Sequence, residues 1–108
     1  MTLGERRSAR RFRMQLPLSI RWANGTTTGE ALSVSKDVSS RGLSFLLPKA
    51  VESGALVEIV MTLPHEVTLA GPVRVRCLGR VLRCRPQENA EFHMAAAIDR
   101  YEFLRNQR

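Results

Sequence analysis

Cysteine is scarce in this chain: Cys77 and Cys84 are the only two. They stand seven apart in what reads as one strand. An odd separation puts them on opposite faces of a regular strand, so the spacing predicts free thiols rather than an intrachain disulfide. That usage fits a reducing, cytoplasmic compartment. Histidine is equally thin. His65 and His93 stand alone, at no ligand spacing from a cysteine or an acidic cluster, so no metal site is expected. Long apolar runs are missing too, which predicts neither a membrane span nor a signal peptide behind the charged N-terminus. Catalysis lacks its usual parts: Asp37 lies near Ser39, but no histidine is placed to act with them, so the chain is not expected to be an enzyme.

What is abundant is arginine. Seventeen basic residues face ten acidic ones, for a net charge of +7, and only Lys36 and Lys49 are lysines. A guanidinium offers a flat fork of donors that bonds two acceptors at once and stacks on a ring. Such a surplus is compatible with an anionic partner without naming it, and a GC-rich genome gives the same bias. The 108 residues are enough for one domain.

Apolar residues recur at every second position. Leu16, Leu18, Ile20 and Trp22 alternate with polar neighbours and stop at Asn24-Gly25. Leu32, Val34 and Val38 share one parity of the next run, with Ser33 and Ser35 on the other. Leu43, Phe45 and Leu47 form a third run, and Val57, Ile59, Met61 and Leu63 a fourth. Val73, Val75 and Cys77 open a fifth, which Gly79 is expected to bend or bulge because Leu82 and Cys84 change parity. Phe92, Met94, Ala96 and Ile98 make a sixth. Residues 99–107 read as the one helix, with Tyr101 and Leu104 on one side. Six short strands with one apolar face each favour a small closed barrel over a sandwich.

Two constellations can carry binding. Arg7 and Arg11, four apart before the first strand, can point into one site if the segment curls. Guanidiniums clamp phosphate or bond the O6 and N7 edge of guanine. A solvated basic tail looks the same. The second is Asp37-Val38-Ser39-Ser40-Arg41-Gly42. Asp37 and Ser39 share a parity, a carboxylate accepts from the N1 and N2 donors of guanine, and Gly42 permits a positive φ or a close backbone approach. An Asx-type turn uses the same residues for local reasons.

Taken together, R-x-x-x-R before the first strand and D-x-S-x-x-G between the second and third resemble the PilZ domain family. The residues that carry it are Arg7-Ser8-Ala9-Arg10-Arg11-Phe12, Leu16-Pro17-Leu18 and Asp37-Val38-Ser39-Ser40-Arg41-Gly42-Leu43, with a looser likeness through Gly79-Arg80-Val81 and the last strand. The resemblance implies an all-β, six-stranded antiparallel barrel over residues 14–108 with a short C-terminal helix. A flexible ligand-binding arm over residues 1–13 would precede it. It also implies a non-catalytic receptor for cyclic di-GMP that passes its signal to a protein partner. By carry-over Arg7 and Arg11 contact phosphate and guanine, Asp37 and Ser39 read a guanine edge, and Gly42 shapes the loop. Arg6 would bias the ligand toward a stacked pair. Ala95-Ala96-Ala97 departs from the family, whose members often place a glycine there. Two other readings are a basic barrel for single-stranded nucleic acid and a ligand-free interaction module. The first calls for exposed aromatics, yet Trp22, Phe45 and Phe92 fall on core parities.

Overall fold

In the computed structural model, which describes residues 13–104, period-two alternation turns directly into strands with one dry face. Leu18, Ile20 and Trp22 are buried along β1 (Pro17–Asn24). Leu43, Phe45 and Leu47 do the same in β3 (Gly42–Leu47), and Val57, Ile59 and Met61 in β4 (Leu56–Leu63). The other strands are β2 (Thr27–Val38), β5 (Val73–Pro86) and β6 (Phe92–Leu104). All neighbours are antiparallel, and the order β1-β2-β3-β6-β5-β4 closes on itself. Phe45, Ile20, Ile59, Cys77 and Met94 fill the interior without solvent exposure. A single helical turn, α1 (His65–Thr68), follows β4. Among the described residues no helix is long and apolar enough to cross a membrane.

The second strand reverses the expected polarity. Leu32 is 82% exposed and Val34 48%, whereas Ser35 is 1% exposed. The register with β1 explains this. Trp22 pairs with Gly29, Ile20 with Ala31 and Leu18 with Ser33, so the bulky inward face of β1 meets a small inward face of β2. A Cβ built on Gly29 would lie 2.4 Å from the Trp22 ring. Volume complementarity across the core, not the hydrophobicity of β2 itself, decides which way that strand faces. Ser35 is a buried polar residue with its bonds made. Its hydroxyl accepts from the Leu16 N–H at 2.9 Å and donates to the Met14 carbonyl, and its N–H donates to the Leu16 carbonyl at 3.0 Å.

Three bulges break the alternation. In β2, Ser35 pairs with Phe45 and Asp37 with Ser44, which leaves Lys36 as the extra residue. In β5, Val81 pairs with Ala96 and Arg83 with Ala95, which leaves Leu82 extra. The irregularity at Gly79 lies on the partner strand: Leu78 pairs with Arg100 and Gly79 with Ile98, so Asp99 of β6 is the inserted residue. The Leu82 bulge also corrects the cysteine argument. With the phase shifted, Cys84 packs against the core like the buried Cys77, and both are free. Seven strand steps, about 23 Å, separate them on one side rather than on two. Burial pushes the Cys77 thiol up to about 11.

Over residues 99–104 the expected C-terminal helix is strand instead, and residues 105–107 lie outside the described residues. β6 runs on through Leu104, paired with β5 from Phe103 opposite Val75 to Arg100 opposite Leu78. The Asp99 bulge resets the alternation, so the apolar positions after it are Tyr101 and Phe103, two apart. Ladder hydrogen bonds to β5 thus outweigh the weak helical spacing of Tyr101 and Leu104.

Gly79 and Gly42 flank β6 at its closest approaches. A Cβ on Gly79 would sit 1.8 Å from the Ala97 carbonyl oxygen, and one on Gly42 2.2 Å from that of Ala96. Backbone cannot give way as a flexible side chain does, so Gly79→Ala is expected to destabilise the fold by ~3 kcal/mol in urea denaturation. Ser35→Ala strands the buried Leu16 N–H, and the same measurement should show a loss of about 1–3 kcal/mol.

Candidate functional site

The 38–42 connection is a tight hairpin tied by one residue. The Ser39 N–H donates to the Gly42 carbonyl at 2.9 Å. The Ser39 hydroxyl accepts from the N–H groups of Arg41 (3.2 Å) and Gly42 (3.3 Å), and lies 3.3 Å from the Gly42 carbonyl. Two contacts from β6 hold the hairpin: the Ile98 N–H donates to the Arg41 carbonyl at 2.8 Å, and the Tyr101 hydroxyl to the Ser39 carbonyl at 3.2 Å. Burial raises the Tyr101 phenol to about 12, so it stays a donor.

The Lys36 bulge sets the direction of Asp37. Plain alternation from the inward Ser35 would turn residue 37 inward as well. With Lys36 inserted, Asp37 pairs with Ser44 on the outer face, and the Ser44 hydroxyl lies 3.3 Å from its carboxylate. Asp37, Ser39 and Gly42 therefore meet on one outer groove of about 350 Å³. Its floor is Ser44 with Ala95 and Ala97 of β6, and its far wall is Leu82 and Arg83 of β5. Gly42 earns its place by close approach to β6 rather than by a positive φ, which Gly25, Gly54 and Gly71 have instead. A second hollow, about 730 Å³, adjoins the first and shares Asp37 and His93 with it. Arg13, Gln15 and Lys36 complete its lining.

Arg6, Arg7 and Arg11 lie outside the described residues. Residues that the sequence leaves without a role line or support the groove, among them Ser35, Ser44, Leu82, Arg83, His93 and Tyr101. A lone histidine and a solvated arginine carry no sequence signal; only the register brings them to the groove. His93 is held below the ordinary histidine range of 6.5, first by burial and then by Lys36, with Arg83 and Arg85 adding to the lowering and Asp37 opposing it.

One stretch of the outer face is balanced by ion pairs, whereas Lys49, Arg74 and Arg85, like the cations of the groove, make none among the described residues. Glu30, Arg21, Glu58, Arg76, Glu102 and Arg100 form a chain of ion pairs of alternating sign across the outer face. Arg76 Nε lies 2.7 Å from Glu58 in an ion pair without hydrogen-bond alignment. A hollow of about 530 Å³ near Trp22 is lined by Arg21, Glu30 and Glu58, whose charges already answer each other. Arg13, Lys36, Arg41 and Arg83, in contrast, make no ion pair among the described residues and line the two joined grooves. Among the described residues there is also no group of His, Cys, Asp and Glu able to hold a metal ion.

The fold is a closed six-stranded antiparallel barrel with an outer, cationic groove beside a D-x-S-x-x-G hairpin. The PilZ domain family model matches residues 5–105, so this chain belongs to the PilZ domain family. Among solved structures, it is similar to the inhibitor of motility MotI/DgrA of Bacillus subtilis, at TM-score 0.71 and 17% identity over 89% of this chain. It spans 44% of that protein's chain. It is also similar to the PilZ domain of CeSA from a cellulose-synthesizing bacterium, at TM-score 0.52 and 20% identity, covering 83% of this chain and 82% of that one. At such identities these structures speak for the fold alone. No curated protein matches the sequence.

The sign of the His93 shift gives a pH test. As pH falls below 6.5 the unfolded chain takes up its histidine proton before folded His93 does. Stability is therefore undiminished above that pH and declines as pH drops through the lower folded value. Urea denaturation at pH steps from about 7.5 to about 5 should show a slope that is smaller in His93→Gln.

Proposed function

We propose that this chain is a non-catalytic receptor for cyclic di-GMP. Asp37 reads one guanine edge; Ser39, beside it, joins that reading when the ligand draws its hydroxyl off the hairpin backbone. Arg7 and Arg11 clamp guanine and phosphate, and the signal passes to a protein partner. PilZ domains are in general receptors for this dinucleotide. The observation that carries the reading for this chain is that Asp37 lines two adjoining outer hollows whose cations, Arg41 and Arg83 in one and Arg13 and Lys36 in the other, make no ion pair among the described residues. Arg13 lines the hollow that opens onto Asp37. Covalent reach alone keeps the Cα of Arg11 within about 7 Å of Arg13, and that of Arg7 within about 21 Å. Both arginines are thus tethered within range of the groove. Arg6 would act beside them, favouring a stacked pair of ligands.

Binding without catalysis fits the hydroxyls of the groove: Ser39 is occupied with the hairpin backbone and Ser44 with Asp37, neither with a histidine. Single-stranded nucleic acid finds less support. Trp22 and Phe45 are buried, and the exposed Phe103 lies outside the groove lining.

Calorimetric titration decides this. The wild type should bind cyclic di-GMP at micromolar ligand or below. Hydrogen bonds to charged groups are worth about 1.5–3 kcal/mol each, so Arg7→Ala/Arg11→Ala should weaken binding by at least ~100-fold, and Asp37→Ala by ~10-fold or more. No heat with the wild type sinks the reading. Tight oligonucleotide binding that collapses with added salt would favour the nucleic-acid barrel instead.

A further inference from the structure

The far wall of the groove is built by the Leu82 bulge. Val81 faces the core at 2% exposure, so plain alternation would send residue 83 inward as well. The inserted Leu82 instead turns Arg83 outward and sets it opposite Ala95. A single cross-strand row results: Asp37 on β2, Ser44 on β3, Ala95 on β6 and Arg83 on β5. An acid stands at one end and a base at the other, with two small residues between. Three strand spacings, about 14 Å along the sheet, separate the ends. That is far too great for the two to pair with each other. Arg83 makes no ion pair among the described residues, as Arg74 and Arg85 of β5 also do not, whereas Arg76 pairs with Glu58 and Arg80 with Asp99 at 3.6 Å. Of the three unpaired arginines, Arg83 is the one that lines the groove.

A bulge beside a groove is a device for re-aiming a side chain, and here it leaves a guanidinium on the wall without an acid of its own. We propose that Arg83 is a barrel-borne phosphate ligand: it binds a phosphodiester of the dinucleotide whose guanine is read at Asp37, across the floor made by Ser44 and Ala95. The assignment rests on the receptor reading above and adds to it a contact that the arm does not supply. Guanine donors match the carboxylate end, phosphate oxygens match the guanidinium end, and the small side chains between leave room for the ligand.

Cyclic di-GMP titration of full-length variants tests it, with Arg85 as the control. Arg85 lies on the same strand opposite His93, outside the groove lining, and its removal changes net charge equally. Arg83→Ala is expected to bind roughly tenfold to a hundredfold more weakly, with an unchanged urea midpoint for the free protein. Arg83→Lys should recover part of the loss, and Arg85→Ala should stay within about threefold of wild type, as a screened surface charge does. Equal weakening by Arg83→Ala and Arg85→Ala would overturn the proposal in favour of a diffuse positive field. Wild-type affinity in Arg83→Ala, with binding lost in Asp37→Ala, would remove Arg83 while the receptor reading stands. A wild type that binds no cyclic di-GMP removes both.

Discussion

In a closed barrel every strand position faces either the core or the outside, and strict alternation leaves a bulge as the way to reassign it. This constraint underlies the whole groove. Ser35 and Val81 are committed to the interior by burial, and the strands that carry them would send residues 37 and 83 inward too. One inserted residue in each strand, Lys36 and Leu82, turns Asp37 and Arg83 onto the same outer row. The floor between them stays low because Ser44 and Ala95 are small. Gly42 and Gly79 allow the β6 backbone to be approached closely from both flanking strands.

The arginines follow the same division. Arg21, Arg76 and Arg100 alternate with glutamates and neutralise one another at the surface, where each pair contributes little to stability. Arg13, Arg41 and Arg83 line the two hollows and make no ion pair among the described residues. The net charge of +7 is thus uninformative as a sum and informative as a distribution. An anion arriving at the groove meets cations that do not have to break an existing ion pair first.

Much of the fold was legible because β1, β3 and β4 bury a single parity, and Gly or Pro marks most of the turns. The two motifs were legible because their spacing is local. What escaped was everything that depends on register. Leu32 and Val34 look like core until Trp22 and Gly29 are seen to claim the same volume. The cysteines look opposed until Leu82 shifts the phase. Residues 99–104 look helical until β5 offers them a ladder. Arg83 and His93 reach the groove through pairings that no short sequence window contains.

The arm and the groove are joined by consecutive residues. Ser35 fixes the chain at Met14 and Leu16, Lys36 is the bulge, and Asp37 is the wall. The position of Met14–Leu16 and the point where the carboxylate enters the groove are therefore set by the same stretch of β2. Chain distance is counted from this anchor, and Arg11 stands five residue steps before Leu16 and Arg7 nine. A buried hydroxyl that accepts one main-chain bond and donates another costs little when both are made and much when either is lost. The anchor is thereby kept in one register, and with it the relation between Met14–Leu16 and the Asp37 end of the groove.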